Sequence, residues 1–419
     1  MHSINKIIKV TSEKGVIGLV KALQVHLAIS MNRLLYRLYQ FTPVKDILVF
    51  ESEGDLTDNA YALFDYMCCN GNLKKYKAYW LVNDIESAKR YAERNGGFPN
   101  TEFVKKFPRK VDLKWSKCLA TCKFFFYDHS NVMHNLDKRS NQTIVYLTHG
   151  FAGYKAGKKA QVDKTKPDYV TVTSNLSEKL YPCFEDFGNA KFIHCGMPRL
   201  DYLMCFDKNI EEKIEHRYKL SSYKKVLLWM PTFRESNHKD ISEDYIKTET
   251  HLPIVYTREQ LMHLSQYLVR MQTVLILKIH PLQLDLPVFC ENYDNILFLK
   301  DEQLHQLNVQ LYQFIKLTDA LITDYSSISA DYMLLDKPMV FTVDDYEEYK
   351  KSRGGFIPNN AIDYWAGSHV NSLKEFYDAL ERIITNFDDY KEERKRLMPQ
   401  FYEDTRMISA KKLVDFFDL

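Results

Sequence analysis

From Pro43 onward, short runs rich in β-branched and aromatic residues alternate with longer stretches whose apolar positions recur at helical spacing. Ile47–Phe50, Tyr79–Val82, Phe124–Tyr127, Thr143–Thr148, Tyr169–Thr173 and Phe192–His194 read as strands, with a helical run from Asp55 to about Cys69 after the first. The pattern breaks at the charged helical stretch Asp207–Tyr218 and at Leu220-Ser221-Ser222-Tyr223, which reads as a linker or turn. A second series then runs through Val226–Met230, Val274–Ile279, Ile296–Leu299, Ala320–Thr323 and Met339–Val343, with helices predicted over Arg258–Met271, Gln303–Leu317 and Ile328–Leu335 and a helical last forty residues. Strands punctuated by helices predict βαβ units around a mostly parallel sheet. The chain is therefore expected to be α/β, with two Rossmann-like doubly wound domains facing a central cleft, since open α/β sheets bind ligands beyond the carboxyl ends of their strands. The predicted division is a helical segment over 1–42, a first domain over 43–205, a linker over 206–223, a second domain over 224–400 and a terminal helix over 401–419.

Length agrees with two domains, because a single core rarely serves 419 residues. A formal net charge of +2 leaves no global field for nucleic acid, so any anionic partner must be met by local patches. The eight cysteines are scattered and form no CxxC pair, which argues against a zinc site or a disulfide framework and for reduced thiols. No run approaches the roughly 18–20 apolar residues of a transmembrane helix, and no signal peptide is evident. In the N-terminal segment, Ile17, Val20, Leu23, Leu27, Leu34, Leu38 and Phe41 recur at helical spacing among Lys21, Arg33 and Arg37. A basic amphipathic helix of this kind either lies in a membrane interface or packs on its own domain.

Candidate chemistry lies at the strand ends. Thr143–Thr148 delivers His149-Gly150, then a loop in which Gly150, Gly153 and Gly157 allow close backbone approach and Lys155, Lys158 and Lys159 supply positive charge. Val274–Ile279 delivers His280-Pro281, the proline ending the strand so that the histidine stands at the sheet rim. Val226–Met230 delivers Pro231-Thr232-Phe233-Arg234, whose guanidinium suits either a phosphate or a surface ion pair. Ala320–Thr323 delivers Asp324-Tyr325-Ser326-Ser327 and then an apolar helix. The serines suit an N-cap or a bound pyrophosphate, and Asp324 suits orienting the loop or meeting a ribose hydroxyl. There is no Gly-x-Gly-x-x-Gly, no Walker A and no metal-ligand cluster at interpretable spacing, so neither cofactor nor metal is expected. The pair Asp344-Asp345 reads as loop surface.

Taken in order, Thr148-His149-Gly150, Gly196-Met197-Pro198-Arg199-Leu200-Asp201, Met230-Pro231-Thr232-Phe233-Arg234, Lys278-Ile279-His280-Pro281, Ile322-Thr323-Asp324-Tyr325-Ser326-Ser327 and the run from Asp331 to Gly355 resemble the CDP-glycerol glycerophosphotransferases of teichoic-acid synthesis. The resemblance covers roughly residues 140 to 360 and implies a glycosyltransferase-B type fold. It also implies transfer of a polyol phosphate from a CDP-activated donor to a hydroxyl of a lipid-linked or glycan acceptor in teichoic-acid-like or capsular polymer synthesis, with release of CMP. His149 and His280 would be the essential histidines, with His149 the general base. Arg234, Thr232, Asp324, Ser326 and Ser327 would hold the donor phosphates, and Gly150, Lys155 and Lys158 would belong to the acceptor loop. Pro198, Arg199 and Asp201 complete the motif set. Such an enzyme works in the cytoplasm, at the inner face of the membrane, without nucleic acid. Where the family usually continues His-Gly with a Thr/Ser-Pro-Leu-Lys sequence, this chain has Phe151-Ala152-Gly153-Tyr154-Lys155, which points to a different acceptor or transferred group. A sugar-nucleotide glycosyltransferase of the same fold and a catalytically silent nucleotide-binding scaffold at the membrane are the competing expectations.

Overall fold

The computed structural model describes residues 2–129, 131–151, 165–232, 248–280, 283–352, 354–406 and 408–419, with side chains in the first helix described from residue 17 onward except Leu19. Two all-parallel sheets organise the chain. The first holds β1 (Ile47–Glu51), β2 (Lys77–Val82), β3 (Thr101–Lys105), β4 (Phe124–Tyr127), β5 (Thr143–Tyr146), β6 (Tyr169–Val172) and β7 (Lys191–His194), in the order β3-β2-β1-β4-β5-β6-β7. The second holds β8 (Lys225–Trp229), β9 (Thr273–Leu277), β10 (Ile296–Phe298), β11 (Ala320–Thr323), β12 (Met339–Thr342) and β13 (Ser368–Val370), in the order β10-β9-β8-β11-β12-β13. Each sheet reverses direction once, between β1 and β4 and between β8 and β11. A crevice opens at such a switch point, where neighbouring crossovers leave to opposite faces.

The central strands are apolar almost throughout because helices cover both faces. In the first sheet Leu48, Phe50, Trp80, Val82, Phe124, Phe126 and Val145 pack one way, and Ile47, Val49, Tyr79, Leu81, Phe125, Tyr127 and Ile144 pack the other. Another core joins the halves, with Val170 and Val172 of β6 in one cluster with Val226 and Leu228 of β8, Val274 and Ile276 of β9 and Leu321 of β11. The two strands that sequence reading missed, β3 and β13, are sheet edges. Thr-Glu-Phe-Val-Lys and Ser-His-Val carry no apolar run, since an edge is partly solvated.

Three local expectations need correction. The single helix over Gln303–Leu317 is two, Asp301–Leu307 and Leu311–Ile315, divided where Asn308 turns left-handed at φ 54°. The helix from Ile328 is α-helical only to Tyr332 and tightens to a 3₁₀ turn over Met333–Leu335. The acidic pair Asp344-Asp345 is scaffolding rather than loop surface: Asp345 is buried and accepts from the Tyr325 hydroxyl (2.6 Å), and Asp344 accepts from the Tyr256 hydroxyl (2.6 Å).

Both chain ends rest on the first half. The final helix, Ser409–Phe417, inserts Leu413 and Val414 against Leu48 and Phe50, and Asp201 accepts from the Ser409 and Ala410 amides at its start (2.7 and 2.9 Å). The first helix, His2–Tyr39, docks through Ala28, Asn32 and Tyr36 on the segment around Lys110–Ser116. The apolar stripe noted in the sequence is not the docking face. Ile17 (74% exposed), Leu27 (67%) and Phe41 (89%) point outward with Val20, Leu23, Leu34 and Leu38. No helix among the described residues is long and apolar enough to cross a membrane.

Glu51, the last residue of β1, is buried and accepts from the Val132 amide (2.9 Å). Burial pushes its pKa up from 4.5 to about 7, against the opposing pull of that amide and of Lys106. A folded value above the unfolded one means that Glu51 favours folding fully below about pH 4.5, a contribution lost as pH rises through 7. Glu51→Gln keeps the acceptor and removes the charge. We expect it to be more stable than the parent at pH 8, by on the order of 2–3 kcal/mol, and to lose that advantage toward pH 4.5. Denaturant titrations at both pH values read the difference, and parallel pH profiles would refute the assignment.

Candidate active site

A cleft of about 820 Å³ lies between the carboxyl ends of the two sheets. His149 follows β5, His280 follows β9, Met230 and Pro231 follow β8, and Ser326 and Ser327 follow β11; all line this cleft, with Arg199 at its base. The strand-end residues singled out in the two halves are thus brought together.

His149 stands on strained backbone. Thr148, buried and β-branched, has φ 59°, a conformation costing on the order of 1–3 kcal/mol that persists only where surroundings enforce it. Asn59 does so, donating from Nδ2 to the Thr148 carbonyl (2.9 Å) while its Oδ1 accepts from the Arg199 amide (3.0 Å). Gly150 has φ 149°, and a Cβ there would lie 2.7 Å from Ser327 Oγ and 3.3 Å from Arg199 Nη2. Glycine is needed because the first half touches the second at this point.

The imidazole of His149 is held by Asp58, with Nδ1 2.9 Å from Oδ2. Nε2 is 3.9 Å from a Glu53 carboxylate oxygen, and the ring meets His129 edge-on at 4.9 Å between centroids. Asp58 Oδ1 accepts from Arg199 Nη1 (2.8 Å), and Arg199 Nη2 donates to Asp331 Oδ2 (2.8 Å) in the second half. Asp331 also accepts from the Tyr312 hydroxyl and from that of Tyr402 (3.1 Å). Arg199 stacks on the Tyr312 ring, 4.8 Å from its centroid. Burial alone would raise the Asp58 pKa, but Arg199 and His149 outweigh it and hold the carboxyl well below the usual range. Asp128, wholly buried, behaves oppositely: burial first, then the Asp58 charge, push it well up, and its Oδ1 has no partner among the described residues.

On the second half, Asp324 is buried and accepts from the Thr232 amide (2.8 Å) and hydroxyl (2.6 Å), so both residues brace the turn after β8. Ser327 precedes the short helix without capping it through its side chain, which leaves the hydroxyl beside Gly150. Burial, then the nearby Lys278 ammonium, push the His280 pKa down, favouring the neutral ring. Lys278 lines the cleft and pairs with Asp301 (2.9 Å).

Pro198 and Asp201 lie outside the cleft. Pro198 opens the turn that carries Arg199, and Asp201 caps the terminal helix. Arg234, Lys155 and Lys158 lie outside the described residues. Sequence reading missed Asp58, Asn59 and the partnership of Asp331 with Arg199. Asp58-Asn59 opens the helix beyond β1, seven residues past the strand end, where acidic and amide residues read as capping. Ligand atoms of Asp58, Asp128 and His149 lie within 4.8 Å of one another, as do those of Glu53, His129 and His149. Linear spacing hides these groups because they come from the ends of β1, β4 and β5. A cation in the first group would compete with Arg199 for Asp58.

Comparison with known proteins gives the chain a family and its fold a precedent. Residues 34–417 match the model of the CDP-glycerol:poly(glycerophosphate) glycerophosphotransferase family. A teichoic acid poly(glycerol phosphate) polymerase of Bacillus spizizenii is 26% identical over 357 residues, 79% of this chain and 82% of that protein. The teichoic acid ribitol-phosphate polymerase TarL of Staphylococcus aureus is 26% identical over 64% of this chain, which spans only 46% of its length. Among solved structures, the wall teichoic acid polymerase TagF superposes with a TM-score of 0.67 at 20% identity, covering 95% of this chain and 96% of that one, and so shares the twin-sheet fold. The chain belongs to the CDP-glycerol:poly(glycerophosphate) glycerophosphotransferase family.

Proposed function

We propose that this chain moves glycerol phosphate from CDP-glycerol to a hydroxyl of a lipid-linked or glycan acceptor, releasing CMP, in the synthesis of a teichoic-acid-like cell-surface polymer. The observation that carries this reading is the pair His149 and His280, from opposite halves of a family member, lining one cleft with Ser326 and Ser327. The acceptor oxygen attacks the β-phosphorus, its proton passes to His149 Nε2, and the bond from that phosphorus to the bridging oxygen breaks as CMP leaves. His280, Ser326, Ser327 and Lys278 hold the diphosphate, and their donors oppose the charge that grows on the leaving phosphate. Thr232 and Asp324 serve by bracing the turn beside them.

The enzyme meets its acceptor from the cytoplasmic face of the membrane. Supporting this are the outward stripe of Ile17, Val20, Leu23, Leu27, Leu34, Leu38 and Phe41 and the exposed Phe107, Val111 and Leu113 on the segment against which the same helix docks. Lys21, Arg33, Arg37, Arg109 and Lys110 interleave with them. Apolar side chains flanked by basic ones suit an anionic interface.

Three outcomes test these statements. With purified protein and a panel of CDP-polyols and nucleotide sugars, CMP release from CDP-glycerol is expected; release of UDP or GDP instead would replace the donor. His149→Ala should lower turnover by at least about 10³-fold while CDP binding by calorimetry changes little, whereas His280→Ala should weaken CDP binding. Removing residues 1–27, which spares the docking residues Ala28, Asn32 and Tyr36, should weaken flotation with anionic vesicles but not transfer to a water-soluble acceptor. Unchanged flotation would return the stripe to another purpose.

A further inference from the structure

We infer that Asp58 is the positioning residue that makes His149 a base, and that Arg199, anchored to Asp331 of the opposite half, fixes Asp58. The inference rests on the reading of His149 as general base and adds what sets its proton. A neutral imidazole carries one hydrogen, and only the nitrogen without it can accept the acceptor's proton. Asp58 Oδ2, 2.9 Å from Nδ1, is an ionised acceptor, so the hydrogen sits on Nδ1. Nε2 is then the basic nitrogen. It has no hydrogen-bond partner among the described residues, on a ring 46% exposed at the cleft.

Asp58 is itself fixed. It opens its helix at φ 59°, and its other oxygen is taken by Arg199 Nη1 at 2.8 Å. Arg199 is 5% exposed and bridges to Asp331, which is wholly buried beyond the cleft and held by the Tyr312 and Tyr402 hydroxyls. The chain of contacts His149–Asp58–Arg199–Asp331 therefore crosses from the acceptor half to the donor half. The imidazole is correctly aimed when the halves stand in the relation that closes this chain.

The arrangement predicts an unusually specific failure. A guanidinium offers donors alone, so in Asp58→Asn the amide oxygen must turn to Arg199 and its NH₂ to the imidazole. Nδ1 is then forced to accept, the hydrogen moves to Nε2, and the base is lost although shape and size are kept. Turnover should fall by about 10²- to 10⁴-fold, with the donor KM within about threefold of the parent. In histidine-selective ¹⁵N spectra the neutral His149 should be Nδ1-protonated in the parent and Nε2-protonated in Asp58→Asn. The parent spectrum tests the claim even if the variant does not fold: Nε2-protonated His149 in the parent would overturn it. So would Asp58→Asn with turnover within about threefold of the parent, or with reduced turnover and an unchanged tautomer, which a merely structural carboxylate would give. Failure of the underlying reading is distinct, because His149→Ala would then keep its turnover whatever Asp58→Asn does.

Discussion

The structure depends on one buried guanidinium. Arg199 sits between Asp58 of the first half and Asp331 of the second, at 2.8 Å from each, with an aromatic ring against its face. A desolvated charge is tolerated only when closely paired, and removing one partner of a buried pair typically costs about 3–5 kcal/mol because the other is left uncompensated. Here each partner belongs to a different sheet. The arginine thus selects a relative placement of the halves as much as it stabilises either, and the backbone at Thr148–Gly150 inherits that placement. Gly150 reaches Ser327, and the Arg199 amide is held by the same asparagine that holds Thr148.

Electrostatics within this group divide the labour between two neighbouring carboxyls. Asp58 and Asp128 both lie near His149, and two charges so close in a dry site would repel strongly. The environment separates them. Arg199 and the imidazole hold the Asp58 carboxyl well below its usual range, and burial together with the Asp58 charge pushes Asp128 well above it. Carboxyls pushed apart in this way are a common sign of assigned acid–base roles.

The fold was legible in the sequence wherever burial on two sides wrote an apolar run. The central strands of both sheets were recovered for that reason, and the edge strands Thr101–Lys105 and Ser368–Val370 were not, because solvent on one flank permits a mixed composition. The site was legible where a strand ends on an uncommon residue, as at His149 and His280. It was not legible where the essential fact is a pairing. Asp331 sits within an apolar stretch, and nothing in its neighbours reveals that Arg199, 132 positions away, reaches it. Asp58 and Asn59 were hidden for a smaller reason: acidic and amide residues at a helix start are explained well enough by capping.

The same pairing bears on how a cleft with so much acidic lining can accept a diphosphate. Glu53, Asp55, Asp58, Asp301 and Glu302 all border it, yet few are available to repel an anion. Asp55 is occupied by the Asn83 and Asp84 amides (2.7 and 2.8 Å), Asp301 by Lys278, and Asp58 by Arg199 and His149. The acidic groups lie chiefly on the first half, and the serines, His280 and Lys278 on the second. On the reading proposed above, the donors of the second wall draw the diphosphate of a nucleotide, and the paired carboxylates of the first do little to oppose it. On the same reading, the first wall is left to a neutral hydroxyl. On that reading the placement of the donors, rather than repulsion, assigns one wall to the nucleotide and the other to the acceptor.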